Sequence, residues 1–237
     1  EHRRQRQLCI RDRGEGICSA RAEEAKNVVG SVCGTGTHSN GRSMYMELSG
    51  TSQATAVAGG SAALAREYLR EEANINKPSA SLIKAILING AEDLGTPDIP
   101  NGNEGWGQID LENSLNPSSS GVALDVFHDD ERELQAGFSL IYAFNLDGTK
   151  GIDITLAWSD AEASANAAQS ESRLMNNLDL ILIAPDGTTY LGNHFSSGVS
   201  TTGGTADVLN NIERIRIPAG ATTQTGDWMV TVEHRGG

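Results

Sequence analysis

The stretch SGTSQATAVAGG, residues 49–60, decides how this 237-residue chain is read. From Thr51 to Arg70 the pattern is helical. Ala54, Ala58, Ala62 and Ala65 keep one side small, and Leu64, Tyr68 and Leu69 add bulk further on. Such a narrow face lets a helix pack close to a sheet or another helix. Gly50 permits a tight entry, which places Ser52 in the first turn. A hydroxyl there lies among backbone N–H groups that have no helical partner and in the positive end of the helix dipole, a setting that stabilises a developing oxyanion. Ser52 is therefore a candidate nucleophile, with Gly50, Thr51 and Gln53 forming the helix N-terminus around it. The bland alternative is a small residue that merely opens a helix.

Outward from this stretch the period changes twice. NKPSASLIKAILINGAED, residues 76–93, offers Ser79 as a cap and an apolar stripe of Leu82, Ile83, Ile86 and Leu87, which predicts a second buried helix. Ahead of the serine stretch only a short helix over 19–32 is suggested. Residues 97–121 are dense in Gly, Pro, Asn and Ser, and the domain boundary is placed in their last part, near 116–121. Beyond it GIDITLAW (151–158), NNLDLILIAPDGTTYLG (176–192), IERIRIPAG (212–220) and DWMVTVEH (227–234) alternate apolar and polar residues between turn signals. Strands in that arrangement predict an antiparallel sandwich of the jelly-roll kind. The expected units are residues 1–118, carrying the serine helix, and residues 119–237, the sandwich.

Charge narrows the partners. Asp and Glu number 31 against 18 Lys and Arg, a net charge of −13 that repels phosphate backbones and anionic head groups, so no nucleic acid is expected. No apolar run approaches the roughly 20 residues that span a bilayer, and no membrane partner is expected either. The opening residues, EHRRQRQLCIRDR, are basic and lack the apolar stretch of a signal peptide. Cys9, Cys18 and Cys33 leave two readings open: one local bridge with a free thiol, or three idle thiols.

A serine nucleophile needs a proton acceptor, and histidine suits that work near neutrality. His2 and His234 lie near the termini and are expected to face solvent. His128 sits in the charged run FHDDERE, expected to be a solvated loop, and His194 follows a turn in the sandwich. His38, fourteen residues before Ser52 in a glycine-rich loop, is the candidate base. Asp160, Asn177 and Asp179 lie near strand ends and offer the hard oxygen ligands that calcium needs.

GTSQATAVAG resembles the nucleophile motif of the subtilisin-like serine proteases, in which Gly-Thr-Ser is followed by a variable residue, Ala-Thr, usually Pro, and Val-Ala-Gly; here Ala56 replaces the proline. PSASLIKAILINGAEDLG and NGNEGWGQIDLENSLN are similar to the last helices and strand of that family's domain. LAWSDAEAS and NNLDLILIAPDGTTYLGN are similar to the jelly roll of a subset of secreted bacterial subtilases. The resemblance implies an α/β remnant, buried helices with a few strands, followed by an all-β antiparallel jelly-roll sandwich. It implies a secreted serine hydrolase that needs no catalytic cofactor, and a structural calcium in the sandwich. It also implies a triad histidine and aspartate and an oxyanion asparagine from earlier segments, which forty-eight preceding residues do not hold. Laid on the family's histidine motif, GTGTHSNG puts Thr35 at the catalytic place and His38 at the second histidine. A second register puts EAKN, residues 24–27, there instead, and Glu23 or Glu24 would substitute only with a supporting acid that Asn27 and Val28 do not supply. Small esters are then expected over peptides, since an ester has the better leaving group and needs less positioning. A catalytically inactive scaffold whose sandwich binds or stabilises is the alternative. Apolar helix faces left by missing segments predict a homo-oligomer.

Overall fold

The computed structural model describes residues 16–23, 31–95, 98–102, 104–115, 126–163, 172–222 and 224–236. The expected boundary at 116–121, His2, Cys9, Glu24 and half of the short helix expected over 19–32 lie outside them. The described ends of that segment are strands. β1 (Ile17–Ala20) and β2 (Ser31–Val32) flank β3 (Tyr45–Leu48) in an antiparallel sheet. A disulfide joins Cys18 to Cys33, which settles the cysteine alternatives in favour of a local bridge.

β3 runs through Ser49 and Gly50 into α1 (Thr51–Glu71). The helix buries Ala54, Ser61, Ala65 and Leu69, so the small side predicted from the alanines is the packed one. Leu64, read as core bulk, is 51% exposed instead: one position before Ala65, it points about 100° away from the buried stripe. α2 (Ala80–Asn89) begins at Ser79, whose hydroxyl accepts the Leu82 N–H at 3.0 Å as the cap pattern predicts. Leu69, Leu82 and Ile86 pack together with Leu115 of α3 (Leu111–Leu115), tying the three helices. No helix among the described residues is long and apolar enough to cross a membrane.

The second half is built of antiparallel sheets. β4 (Ser139–Leu146), β6 (Asn177–Ile183), β7 (Thr189–Ser196), β8 (Val199–Thr202) and β10 (Gly226–Gly236) form a five-stranded sheet in the order β4-β10-β6-β7-β8. β5 (Ile152–Ala157) pairs with β9 (Ile212–Ile217). Period-2 alternation sets the packing. Leu180, Leu182, Trp228, Val230 and Val232 meet Ile152, Ile154, Leu156, Ile215 and Ile217 in one core between the two sheets. The other face of β5 and β9 is covered by α2, and there Ile88, Trp106 and Ile212 form a buried cluster with Ala157 and Phe195. Strand β9 is thus covered on both faces.

Polar bonds cross the same seam. Arg214 is 1% exposed; its guanidinium donates to both carboxylate oxygens of Asp153 (2.9 and 2.7 Å) and to the Asn89 carbonyl at the end of α2 (2.6 Å). A cation at a helix C-terminus meets the negative end of the dipole. Asp98 Oδ1 accepts the Gly198 N–H at 2.8 Å. Asp129 and Asp130, expected in a solvated loop, do structural work. Asp130 accepts from the Ser79 hydroxyl (2.5 Å) and N–H (2.9 Å), and Asp129 accepts from the Tyr142 hydroxyl at 2.8 Å. That bond and burial push the Tyr142 phenol up to about 12.

Candidate active site

Ser52 stands in the first turn of α1, exposed. The entry depends on Gly50, whose φ of 152° and ψ of 168° belong to a region that only glycine adopts without strain. Its carbonyl accepts the N–H groups of Gln53 (3.1 Å) and Ala54 (3.2 Å). Gln53 is therefore committed inside the helix, and among the described residues the N–H groups of Thr51 and Ser52 have no acceptor. Of the residues expected to form an oxyanion site, Thr51 and Ser52 offer free donors, Gly50 shapes the turn and Gln53 offers none from its backbone. The strand leading in is held by Ser49, whose hydroxyl accepts the Gly16 N–H at 2.9 Å.

Among the described residues no side chain makes a hydrogen bond with the Ser52 hydroxyl. His38 is placed elsewhere. Its N–H bonds to the Arg42 carbonyl (2.7 Å) at the tip of the loop between β2 and β3, and its Nε2 donates to the Arg21 carbonyl at 2.9 Å. Arg42 and Ser49 are separated by seven steps of largely extended chain, on the order of 20 Å at the strand rise. The structure does not bring His38 to Ser52. Glu23 is likewise engaged, by the Ser39 hydroxyl at 2.6 Å.

His234 and His128 depart from expectation. His234 is 8% exposed and its Nδ1 donates to the Leu134 carbonyl at 2.8 Å, because the last strand runs through the middle of the five-stranded sheet. His128 is half-buried, and burial lowers its pKa. His194 sits within β7.

Of the three residues expected to hold calcium, Asp160 and Asp179 already accept N–H hydrogens, while Asn177 Oδ1 is buried with no partner among the described residues. Asp160 accepts from the N–H groups of Ala161 (2.9 Å), Met175 (2.7 Å) and Asn176 (3.0 Å) and from the Asn176 side chain (2.8 Å). Asp179 accepts from Arg235 at 3.0 Å and from Asn177 at 3.3 Å. N–H hydrogens aimed at a carboxylate take up lone pairs that a cation would use, so calcium here would compete with these bonds. Among the described residues no group of three or more His, Cys, Asp or Glu side chains is arranged to hold a metal.

A buried acid escaped the sequence reading. Glu213 shares the parity of Ile215 and Ile217 and so points into the core, where it is 1% exposed. Its Oε2 accepts the Leu180 N–H at 2.6 Å, and Oε1 is buried with no partner among the described residues. Gly192 makes the room, since a Cβ there would collide with the carboxyl. Burial pushes this acid up to about 9, opposed by the Leu180 bond and assisted by Asp179 and Asp207. The alternation I-E-R-I-R-I contained the signal: the glutamate occupies an apolar phase.

A model of the subtilase family matches residues 14–107, the segment that includes β1 to β3, α1 and α2. Serine protease/ABC transporter B family protein tagA of Dictyostelium discoideum is 34% identical over 220 residues, 86% of this chain. Residues 14–107 belong to the subtilase family. The related tagD of the same organism is 28% identical over 258 residues and 85% of the chain. This chain spans only 12% and 14% of those two relatives. Two crystal structures of the Aeromonas sobria serine protease, alone and with its chaperone, are 16% and 15% identical; each alignment covers 81% of this chain and 38% of the other, with a TM-score of 0.24. The family places Ser52, in GTSQATAVAG, within its matched segment.

Proposed function

We propose that this chain carries the nucleophile of a serine hydrolase of subtilase descent, with Ser52 attacking an ester or peptide carbonyl. The observation that supports it is the exposed hydroxyl in the first turn of a 21-residue helix beside two N–H groups without acceptors, inside the segment that matches the family. In the reaction the oxygen of Ser52 adds to the carbonyl carbon, the oxyanion is received by the Thr51 and Ser52 N–H groups, the leaving group departs with the proton taken from the hydroxyl, and water then cleaves the acyl–Ser52 ester to release the acid and restore the hydroxyl. His38 donates its Nε2–H to the Arg21 carbonyl, so among the described residues Ser52 has no hydrogen-bonded histidine. Small activated esters are the substrates that need the least positioning; a cavity of about 410 Å³ lined by Asp93, Ser197 and Arg216 among others lies at the helix–sheet seam. The antiparallel half reads as a jelly roll that stabilises the helices across the shared seam. The Cys18–Cys33 bridge supports an oxidising, extracellular setting.

A second reading, an inactive scaffold, is favoured by the missing acceptor beside Ser52. Labelling with a fluorophosphonate separates the two. Covalent modification mapped to Ser52, abolished in Ser52→Ala and retained in His38→Ala, is the expected result. An unlabelled Ser52 in the folded chain refutes the nucleophile.

A further inference from the structure

Among the described residues, the strand that delivers Ser52 has almost no hydrophobic anchorage. Of the residues in β1, β2 and β3 only Met46 is buried, and the hydrophobic clusters among the described residues begin at Leu69. β3 is held by four residue pairs to β1 and two to β2, and the Gly16–Ser49 bond extends the β1 side to the residue before Gly50. A sheet of that size without an apolar face is marginal in water. What joins its two outer strands is covalent. Cys18, opposite Glu47, is bonded to Cys33, just past the two β2 residues that pair with Glu47 and Met46. Cys18 is exposed and Cys33 half-buried, so the bridge is within reach of a reductant.

We propose that the Cys18–Cys33 disulfide is a redox-sensitive clamp on β3, whose reduction releases the turn at Ser49 and Gly50 and unseats Ser52 while the β-sheets of residues 139–236 stay folded. The functional consequence rests on the reading of Ser52 as nucleophile; the release of β3 does not. The reductant is an external dithiol. One of its thiolates attacks a sulfur of the bridge and its second thiol resolves the mixed disulfide. Two electrons pass to the protein, Cys18 and Cys33 end as protonated thiols, and the dithiol ends as a disulfide. Closing a loop over a sequence separation of 15 residues restrains the open state by about 3 kcal/mol, or roughly 100-fold in population. Other ties of this segment include His38 to Arg21, Ser39 and Asn40 to Glu23, and the Arg21 N–H to the Met44 carbonyl, hydrogen bonds at the surface or half-buried. The sheets of the second half have the core around Leu180, Trp228 and Ile215 and no cysteine.

The test uses the chain with Cys9→Ser, so that the third cysteine takes no part, with and without the dithiol, beside Cys18→Ser/Cys33→Ser. Amide hydrogen exchange at residues 45–48 is expected to accelerate by about 100-fold on reduction and in the double variant, with Leu180 and Val230 unchanged. Fluorophosphonate labelling of Ser52 is expected to drop in parallel. Equal exchange at 45–48 in oxidised and reduced protein, whether fast or slow, overturns the clamp, as does equal acceleration in the second half. Faster exchange with undiminished labelling overturns its coupling to Ser52. If the oxidised protein takes no label, the nucleophile assignment fails, and the exchange data still decide the clamp.

Discussion

Replacing Glu213 by glutamine isolates the energetic consequence of the buried acid. In the unfolded chain the carboxyl ionises near 4.5; in the folded chain burial holds its proton to about 9. Between those values unfolding releases a proton, so rising pH favours the unfolded state. The stability contributed by Glu213 is intact below about pH 4.5, declines through the interval and is fully lost above about pH 9. The slope is about 1.4 kcal/mol per pH unit, which amounts to on the order of 3 kcal/mol at pH 7. Glu213→Gln removes that titration while its side-chain oxygen still accepts the Leu180 N–H. The amide leaves its own hydrogens without acceptors, a cost of roughly 1–3 kcal/mol that does not vary with pH. Urea unfolding of both proteins at pH 5, 6, 7 and 8 is the assay. The difference between variant and parent should move steadily in favour of glutamine, by roughly 3–4 kcal/mol from pH 5 to pH 8. Parallel stability curves would refute the reasoning, because they would mean that Glu213 is ionised in the fold or reaches solvent.

Other perturbations probe the seam and the sheet. Arg214→Met takes the guanidinium from the Asp153 carboxylate and the Asn89 carbonyl, leaving Asp153 with the Asn89 amide and Arg216; unfolding free energy should fall by about 1–3 kcal/mol, measured by chemical denaturation. Ser79→Ala removes the α2 cap and the Asp130 partner, costing about 1–2 kcal/mol and lowering Tm by roughly 2–8 °C in a thermal melt. Since Asp160 and Asp179 already accept N–H hydrogens, a chelator should leave Tm unchanged, and a drop would show that a cation displaces Arg235 or the 175–176 backbone.

Much of the scaffold was legible because local chemistry and tertiary packing agree there. Ser79 caps α2 as its type and spacing predict, and the alternating residues of 152–157, 177–183, 212–217 and 226–236 became strands whose apolar phase faces a common core. Local pattern failed where burial depends on a distant neighbour. The FHDDERE run reads as solvated until α2 is brought beside it, when Asp130 meets Ser79 across 51 positions. β4 was not read as a strand, although Ser139–Leu146 alternates through all eight residues.

By itself the sequence determined the serine at a helix mouth, the family that GTSQATAVAG belongs to, and the change from helical to strand period after residue 121, all properties carried by neighbouring residues. The tertiary structure alone decided which charges are interior, which cysteines meet, and where His38 lies relative to Ser52. Those outcomes depend on chain segments far apart in sequence arriving at one place. Desolvation and contact act on that place, and no local pattern encodes it.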